Sequence, residues 1–190
     1  MARAQLSDFT RHHPNITLRL STGPDPVDLT RAQEIDVAIS YGGALERPGV
    51  ETVALGVEPL VPMCSPKLLA SAGSTDALMR EATLIDSPLS RVTWRDWFAA
   101  NGLPMPDRPR PSFDRAALAI SAAADGMGIV LESTRLAERE LARGNLVEVG
   151  AGRFTRFLRE THFVSCRTTD IKQSRLAAFQ QWLLEQASPG

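Results

Sequence analysis

Five short stretches of this chain set hydroxyls, carboxylates, a tyrosine and glycines where an apolar run gives way to a turn. In QEIDVAISYGG, the apolar stripe ends on Ser40, Tyr41, Gly42 and Gly43. Tyr41 offers a flat apolar face with a hydroxyl, and Gly42 lets a ligand approach the backbone. A plain turn with Tyr41 packed on the surface would use the same residues. Ser21, Thr22 and Gly23 precede Asp25 and Pro26, which read as an N-cap and a first helical position. Free N–H groups at such a helix start, beside two hydroxyls, suit a carboxylate or other anion. Asp25 and Asp28 work against this, because they cap the same helix end and repel an anion. Asp86 and Ser87 close a short strand before Pro88, and Glu132 and Ser133 close the strand GIVLES. Phe113 and Asp114 stand where RPSF gives way to a helix, with Asp114 either an N-cap or a partner for an amine or hydroxyl. All of this is binding chemistry, and open α/β sheets bind ligands beyond the carboxyl ends of parallel strands.

Catalytic and metal chemistry have much less support. His12 and His13 follow a helix whose C-terminal carbonyls attract them, and His162 has no Cys or His at metal spacing. Cys64 lies between Pro62 and Pro66, and no partner His can be named for it. Trp94, Trp97 and Phe98 fall at helical spacing and read as core. Arg153, Arg156 and Arg159 read as a solvated loop and strand edge, with a phosphate patch as the alternative. The chain has no Gly-rich phosphate loop and no nucleophile elbow, so neither an enzyme nor a cofactor is expected.

Composition narrows the class. The chain has 190 residues, 43% hydrophobic and 23% charged, with a formal charge of −1 and a pI near 6.3. That describes an ordinary globular protein with no basic face for gripping phosphates. The N-terminus MARAQLSDFTRHH has no apolar core of a secretory signal, and no apolar run approaches the ~18 residues of a membrane span. Two distant cysteines without a CxxC pair fit a reducing compartment. A cytoplasmic location without membrane contact is expected.

The elements that must position these residues alternate between strand and helix. Ala2, Leu6 and Phe9 recur at helical spacing up to His12-His13-Pro14. ITLRL alternates as a strand, DPVDL starts a helix, and DVAISY is the next strand. Val50 to Cys64 is strand-like but contains Pro59 and Pro62, so a bend or a crossing between lobes is expected there. Helices follow at Ser65-Pro66, WRDWFAANGLP, Asp114 to Asp125 and RLAERELARGN. TLID, RPSF and MGIVLES read as strands, FLRETHFVSCR as a return strand, and Ile171 to Gln186 as a closing helix. The order predicts an α/β protein with mainly parallel sheets: lobe I from 1–61 and 160–190, lobe II from 62–159, and two hinge strands between them.

Five stretches in sequence order, LSDFTRHHPNITLRLS, EIDVAISYGG, EPLVPMCSPKLL, LIDSPLSRVTWRDWFAANGL and FDRAALAISAAADGMGIVLEST, carry a family pattern. Together they resemble the effector-binding domain of LysR-type transcriptional regulators, and within these the glycine-cleavage-activator subgroup. The resemblance runs from Leu6 to about Leu184. It implies a fold like that of type 2 periplasmic binding proteins, with a small-molecule effector held in the cleft between the lobes. It also implies effector contacts at Ser40, Tyr41 and Gly42, and at Phe113 and Asp114. Set against the family, the chain lacks the helix-turn-helix domain and the first effector-domain strand. No operator binding by this chain alone is therefore expected. Homodimers are expected through the first helix, with Leu6 and Phe9, and the RLAERELARGN segment. The rival readings are a solute-binding protein of the same fold and a decoy partner of full-length regulators.

Overall fold

A computed structural model of the chain describes residues 3–23 and 25–187. Its elements run α1 (Arg3–His12), β1 (Val37–Tyr41), β2 (Val50–Ala54), β3 (Val57–Cys64), α2 (Pro66–Ser71), α3 (Thr75–Glu81), β4 (Leu84–Ile85) and α4 (Trp94–Ala100). They continue with α5 (Ala116–Ala124), β5 (Ile129–Ser133), α6 (Glu138–Ala142), β6 (Val147–Glu148), β7 (Phe157–Glu160), β8 (His162–Arg167) and α7 (Ser174–Ala187). The chain divides into two compact units, Met1–Val57 with Glu160–Gly190, and Glu58–Arg159.

In the second unit, the two-residue period of the strands sorts side chains onto opposite faces of the sheet β4-β5-β3-β6, with β7 also paired to β3. Leu60, Leu84, Ile129 and Leu131 go to one side, where Leu78, Met79, Trp94, Trp97 and Phe98 cover them. Val61, Met63, Ile85 and Val130 go to the other, under Ala119, Ile120 and Ala123 of α5. Covered on both faces, β5 is buried at every residue, its last two polar ones included.

In the first unit the sheet order is β1-β8-β2. Val53, Leu55 and Val164 meet Phe9 of α1 and Phe179, Trp182 and Leu183 of α7. Phe9 sits edge-on to Phe179 at 5.1 Å and stacks with His13 at 4.5 Å. With no exposed surface, Phe9 belongs to its own core and is not available for the dimer contact expected of it. The apolar face of RLAERELARGN likewise turns inward, since Leu136 and Leu141 pack on the second unit's core. Ala2 of the α1 stripe lies outside the described residues.

Several expectations are corrected. The sheets are mixed: β8 runs antiparallel to both β1 and β2, β3 runs antiparallel to β5 and β6, and only β4–β5 is parallel among these pairs. A chain that re-enters the first unit from the second comes back against the strands it left, whereas β4 and β5 are joined by helical crossovers. ITLRL is not a strand. Ile16 and Leu18 pack on the core as the alternation predicts, but Leu20 is 70% exposed and no described strand pairs with the segment. DPVDL is not a helix. The Asp28 carboxylate accepts from both Thr30 N at 3.0 Å and Thr30 Oγ1 at 2.6 Å, a local turn that competes with helical bonding. These bonds, with Arg47 and Arg31 nearby, hold the Asp28 carboxyl below its usual value. The break in the Val50–Cys64 stretch falls at Leu55-Gly56, ahead of both prolines. Pro59 and Pro62 fit inside β3 because the ladder uses their carbonyls, which accept from Thr134 N and Val149 N. RPSF makes a single bridge, Ser112 to Asp86, and FLRETHFVSCR splits into β7 and β8 around Thr161.

Candidate functional site

The parallel pair β4–β5 brings together residues that lie far apart in sequence. The chain after α4 is held by Arg108, whose guanidinium donates to the carbonyls of Arg80, Glu81 and Ala82 at 2.6–2.8 Å. These carbonyls close α3, so one side chain both caps that helix and anchors the segment leading to Phe113. Asp86 N then donates to Pro111 O at 2.8 Å and Phe113 N to Asp86 O at 3.0 Å, which sets Phe113 beside the end of β4. Arg110 Nε donates to Asp86 Oδ2 at 3.0 Å. At the end of β5, Ser87 Oγ donates to Glu132 Oε1 at 2.5 Å, and Ser133 N donates to Glu132 Oε2 at 3.0 Å. Behind them Ser133 Oγ donates to Glu58 of β3, and Arg135 Nη1 lies 3.9 Å from Glu58 Oε1.

Five of the expected contacts, Asp86, Ser87, Phe113, Glu132 and Ser133, thus gather at the carboxyl ends of the parallel pair β4–β5. Their exposures differ. Asp86, Ser87 and Phe113 are half-buried, while Glu132 and Ser133 have no exposed surface and face an internal hydrogen-bond network. Asp114 is corrected on its capping role. Arg115 is the N-cap of α5 and makes no side-chain cap bond, while the Asp114 side chain is 81% exposed and 3.9 Å from Arg115. The N–H groups of the first turn of α5 therefore receive no side-chain acceptor from the cap.

In the first unit, Tyr41 pairs with His162 across β1–β8, with ring centroids 5.0 Å apart. Gly42 N donates to Thr161 O at 2.8 Å, and Gly42 has φ 104°, a conformation that favours glycine. The Ser40 hydroxyl is buried and bonds no described group. Ser21, Thr22 and Gly23 lie on an exposed, irregular segment. Because Asp25-Pro26 starts no helix, the anion site expected from a helix N-terminus does not form there.

The remaining candidates resolve into structure. His12 Nδ1 lies 2.9 Å from Asp8 O, one turn back in α1. Burial pushes the Cys64 thiol up to about 11, which favours the protonated thiol over the nucleophilic thiolate. Arg153 pairs with Asp76 at 2.7 Å, Arg156 with Glu148 at 3.3 Å, and Arg159 lies over the Phe157 ring, so the three arginines have separate partners. Among the described residues no group of His, Cys, Asp and Glu is placed to hold a metal ion, and no helix is long and apolar enough to cross a membrane. Sequence reading missed Glu58, Arg110, Arg135 and the Thr161–His162 pair. One signal was present: Glu58 is a carboxylate inside the otherwise apolar VEPLVPMC.

Residues 3–188 match the family described as the LysR substrate binding domain. The chain belongs to that family. This LysR substrate-binding domain is 35% identical over 186 residues to the HTH-type transcriptional regulator PerR of Escherichia coli, covering 98% of the chain and 62% of PerR. It is 30% identical to the glycine cleavage system transcriptional activator of the same organism, over 97% of the chain and 60% of that protein. With other LysR-type regulators as similar or more so, these values do not single out the glycine-cleavage subgroup. The effector domain of the transcriptional regulator AmpR of Pseudomonas aeruginosa superposes with a TM-score of 0.79 at 33% identity, covering 97% of this chain and 87% of that one. The fold is therefore the α/β, periplasmic-binding-protein-like fold of LysR effector-binding domains. The domain spans about 60% of the length of the curated relatives it matches.

Proposed function

We propose that this domain is the ligand-sensing part of a LysR-type transcriptional regulator. It binds a small acid or an amino-acid-like effector, performs no chemistry on it, and pairs with a second copy of itself. The observation that carries the reading is the gathering of Asp86, Ser87 and Phe113 at the carboxyl ends of β4 and β5, backed by the buried Glu132 and Ser133. Polar groups that converge on strand ends fix the orientation of a small molecule. The N-terminal turn of α5, next to Phe113 and without a side-chain cap, favours an anionic group on it. In the first unit, Tyr41 supplies a half-buried aromatic face with a hydroxyl, and Gly42, buried and bonded through its N–H to Thr161 O, shapes the turn beside it. Effector binding shifts a conformational equilibrium by its difference in affinity for the two states.

The test is ligand-induced thermal stabilisation across a panel of small carboxylic acids and amino acids. A ligand at about 100 times its Kd stabilises the state that binds it by ~2.7 kcal/mol. Tyr41→Ala is expected to remove most of the rise seen for the best compound while leaving the ligand-free melting temperature within a few degrees. A rise of full size in Tyr41→Ala would take Tyr41 out of the site. Light scattering at micromolar concentration is expected to show a dimer, and a single 20.7 kDa species would refute self-association.

A further inference from the structure

Ser87 and Glu132 carry more information than their position, because an ionised Glu132 fixes the direction of the bond between them. Glu132 is completely buried, and each of its oxygens has a donor: Oε1 takes the Ser87 hydroxyl at 2.5 Å, and Oε2 takes the backbone N–H of Ser133 at 3.0 Å. A carboxylate has lone pairs only, whereas a serine hydroxyl has one proton and two lone pairs. With its single proton directed at Oε1, the half-buried Ser87 has only lone pairs left to offer a molecule beside it.

We propose that Glu132 is a positioning residue that makes Ser87 a hydrogen-bond acceptor, so that the effector meets Ser87 with a donor, an ammonium, amide N–H or hydroxyl. This rests on the reading above that the ends of β4 and β5 hold the effector, and it narrows that reading from any small acid to a molecule carrying a donor group. Glu132→Gln reverses the arrangement for a geometric reason. The Ser133 N–H can only donate, so the Gln oxygen must take that side, and its NH₂ turns to Ser87. The Ser87 oxygen then accepts from inside, and its proton is released to point outward. The variant converts Ser87 from an acceptor into a donor without removing either side chain.

The experiment has a ligand-free arm and a ligand arm. In protein labelled with [3-13C]serine, the deuterium isotope shift on Cβ reads hydroxyl exchange, and Ser87→Ala assigns the signal. The Ser87 proton is expected to exchange more than about tenfold slower than exposed serine hydroxyls, and to lose that protection in Glu132→Gln. Exchange as fast as at exposed serines overturns the proposal. In the ligand arm, glycine and the common L-amino acids are each titrated beside the matching 2-oxo acid, which puts an acceptor where the ammonium stood. The wild type is expected to favour the amino compound by about tenfold or more. Glu132→Gln is expected to reverse that preference, and Ser87→Ala to level it. Equal binding of both members of each pair overturns the specificity inference and leaves the binding reading standing. Binding of neither set overturns both. Should Glu132→Gln fail to fold, the levelling in Ser87→Ala still decides.

Discussion

Gly128→Ala is expected to lower the melting temperature of the second unit by ten degrees or so, or to leave little soluble protein. Gly128 immediately precedes β5, at the point where Ile129 N donates to Thr83 O at 2.8 Å and the parallel pairing with β4 begins. A Cβ added there would stand 2.1 Å from Thr83 O and 2.9 Å from Thr83 C. Both are backbone atoms, so no side-chain rotation relieves the clash, and the two strands must separate by about an ångström. Leu84 and Ile129, both fully buried, are the next residues along, so separation opens the core around Trp94 and Trp97. Overpacking of this kind costs about 3 kcal/mol or somewhat more. For a chain of this size each kcal/mol moves Tm by about 2–4 °C. Gly102→Ala is the control. Nothing lies within 4 Å of a Cβ at Gly102, and its φ of 63° carries only the left-handed penalty, about 1–2 kcal/mol. Equal losses for the two variants would show that the close approach to Thr83 does not matter.

Arg167→Ala is expected to destabilise the first unit by about 2–4 kcal/mol, because it strips a charged donor from several acceptors at once. Arg167 Nη1 donates to the carbonyls of Leu29, Ile35 and Ala32 at 3.0, 2.9 and 3.3 Å, and Nε donates to Asp170 at 2.5 Å. The Arg167 side chain is only 12% exposed. Residues 25–36 form no helix or strand, so few ladder bonds hold them, and Arg167 substitutes for such bonds from β8. Arg167→Lys keeps the charge but not the planar fork, and should recover less than half of the loss. Hydrogen exchange places the effect: faster exchange is expected over residues 28–36 and in β8, and not in β5. The Arg167 hydrogen bond also holds the Asp170 carboxyl below its usual value. The stability from this bond is therefore present above the unfolded carboxylate pKa and lost as pH falls through the depressed one. In Arg167→Ala that acid-sensitive part should be missing. A loss under about 0.5 kcal/mol, or exchange unchanged over 28–36, would show that the segment is held some other way.

What the sequence determined by itself is whatever a few neighbouring residues decide. The helix in WRDWFAANGLP stops at Gly102 because a left-handed residue ends a helix locally, and α7 shows its buried stripe of Leu176, Phe179 and Leu183 in the spacing alone. The strands in DVAISY, TLID and MGIVLES were legible for the same reason, and so was the family, because five local patterns in order survive when single residues vary. Two local readings failed where a longer-range or competing interaction had the last word. ITLRL has the right alternation, but a strand exists only with a partner, and no described strand supplies one. DPVDL has a good helix start, but Asp28 turns back on Thr30 and ends it.

The candidate site was legible only as a set of strand ends. Which ends meet depends on sheet order and direction, and these follow from how two buried faces of one sheet are covered. Only the tertiary structure brings Ser87 to Glu132 across 45 residues and Ser133 to Glu58 across 75, and only there does the direction of a hydroxyl proton acquire meaning. Burial decides it: a carboxylate taken out of water must find donors inside the protein, and β4 and β5 bring Ser87 and the backbone N–H of Ser133 within reach of Glu132.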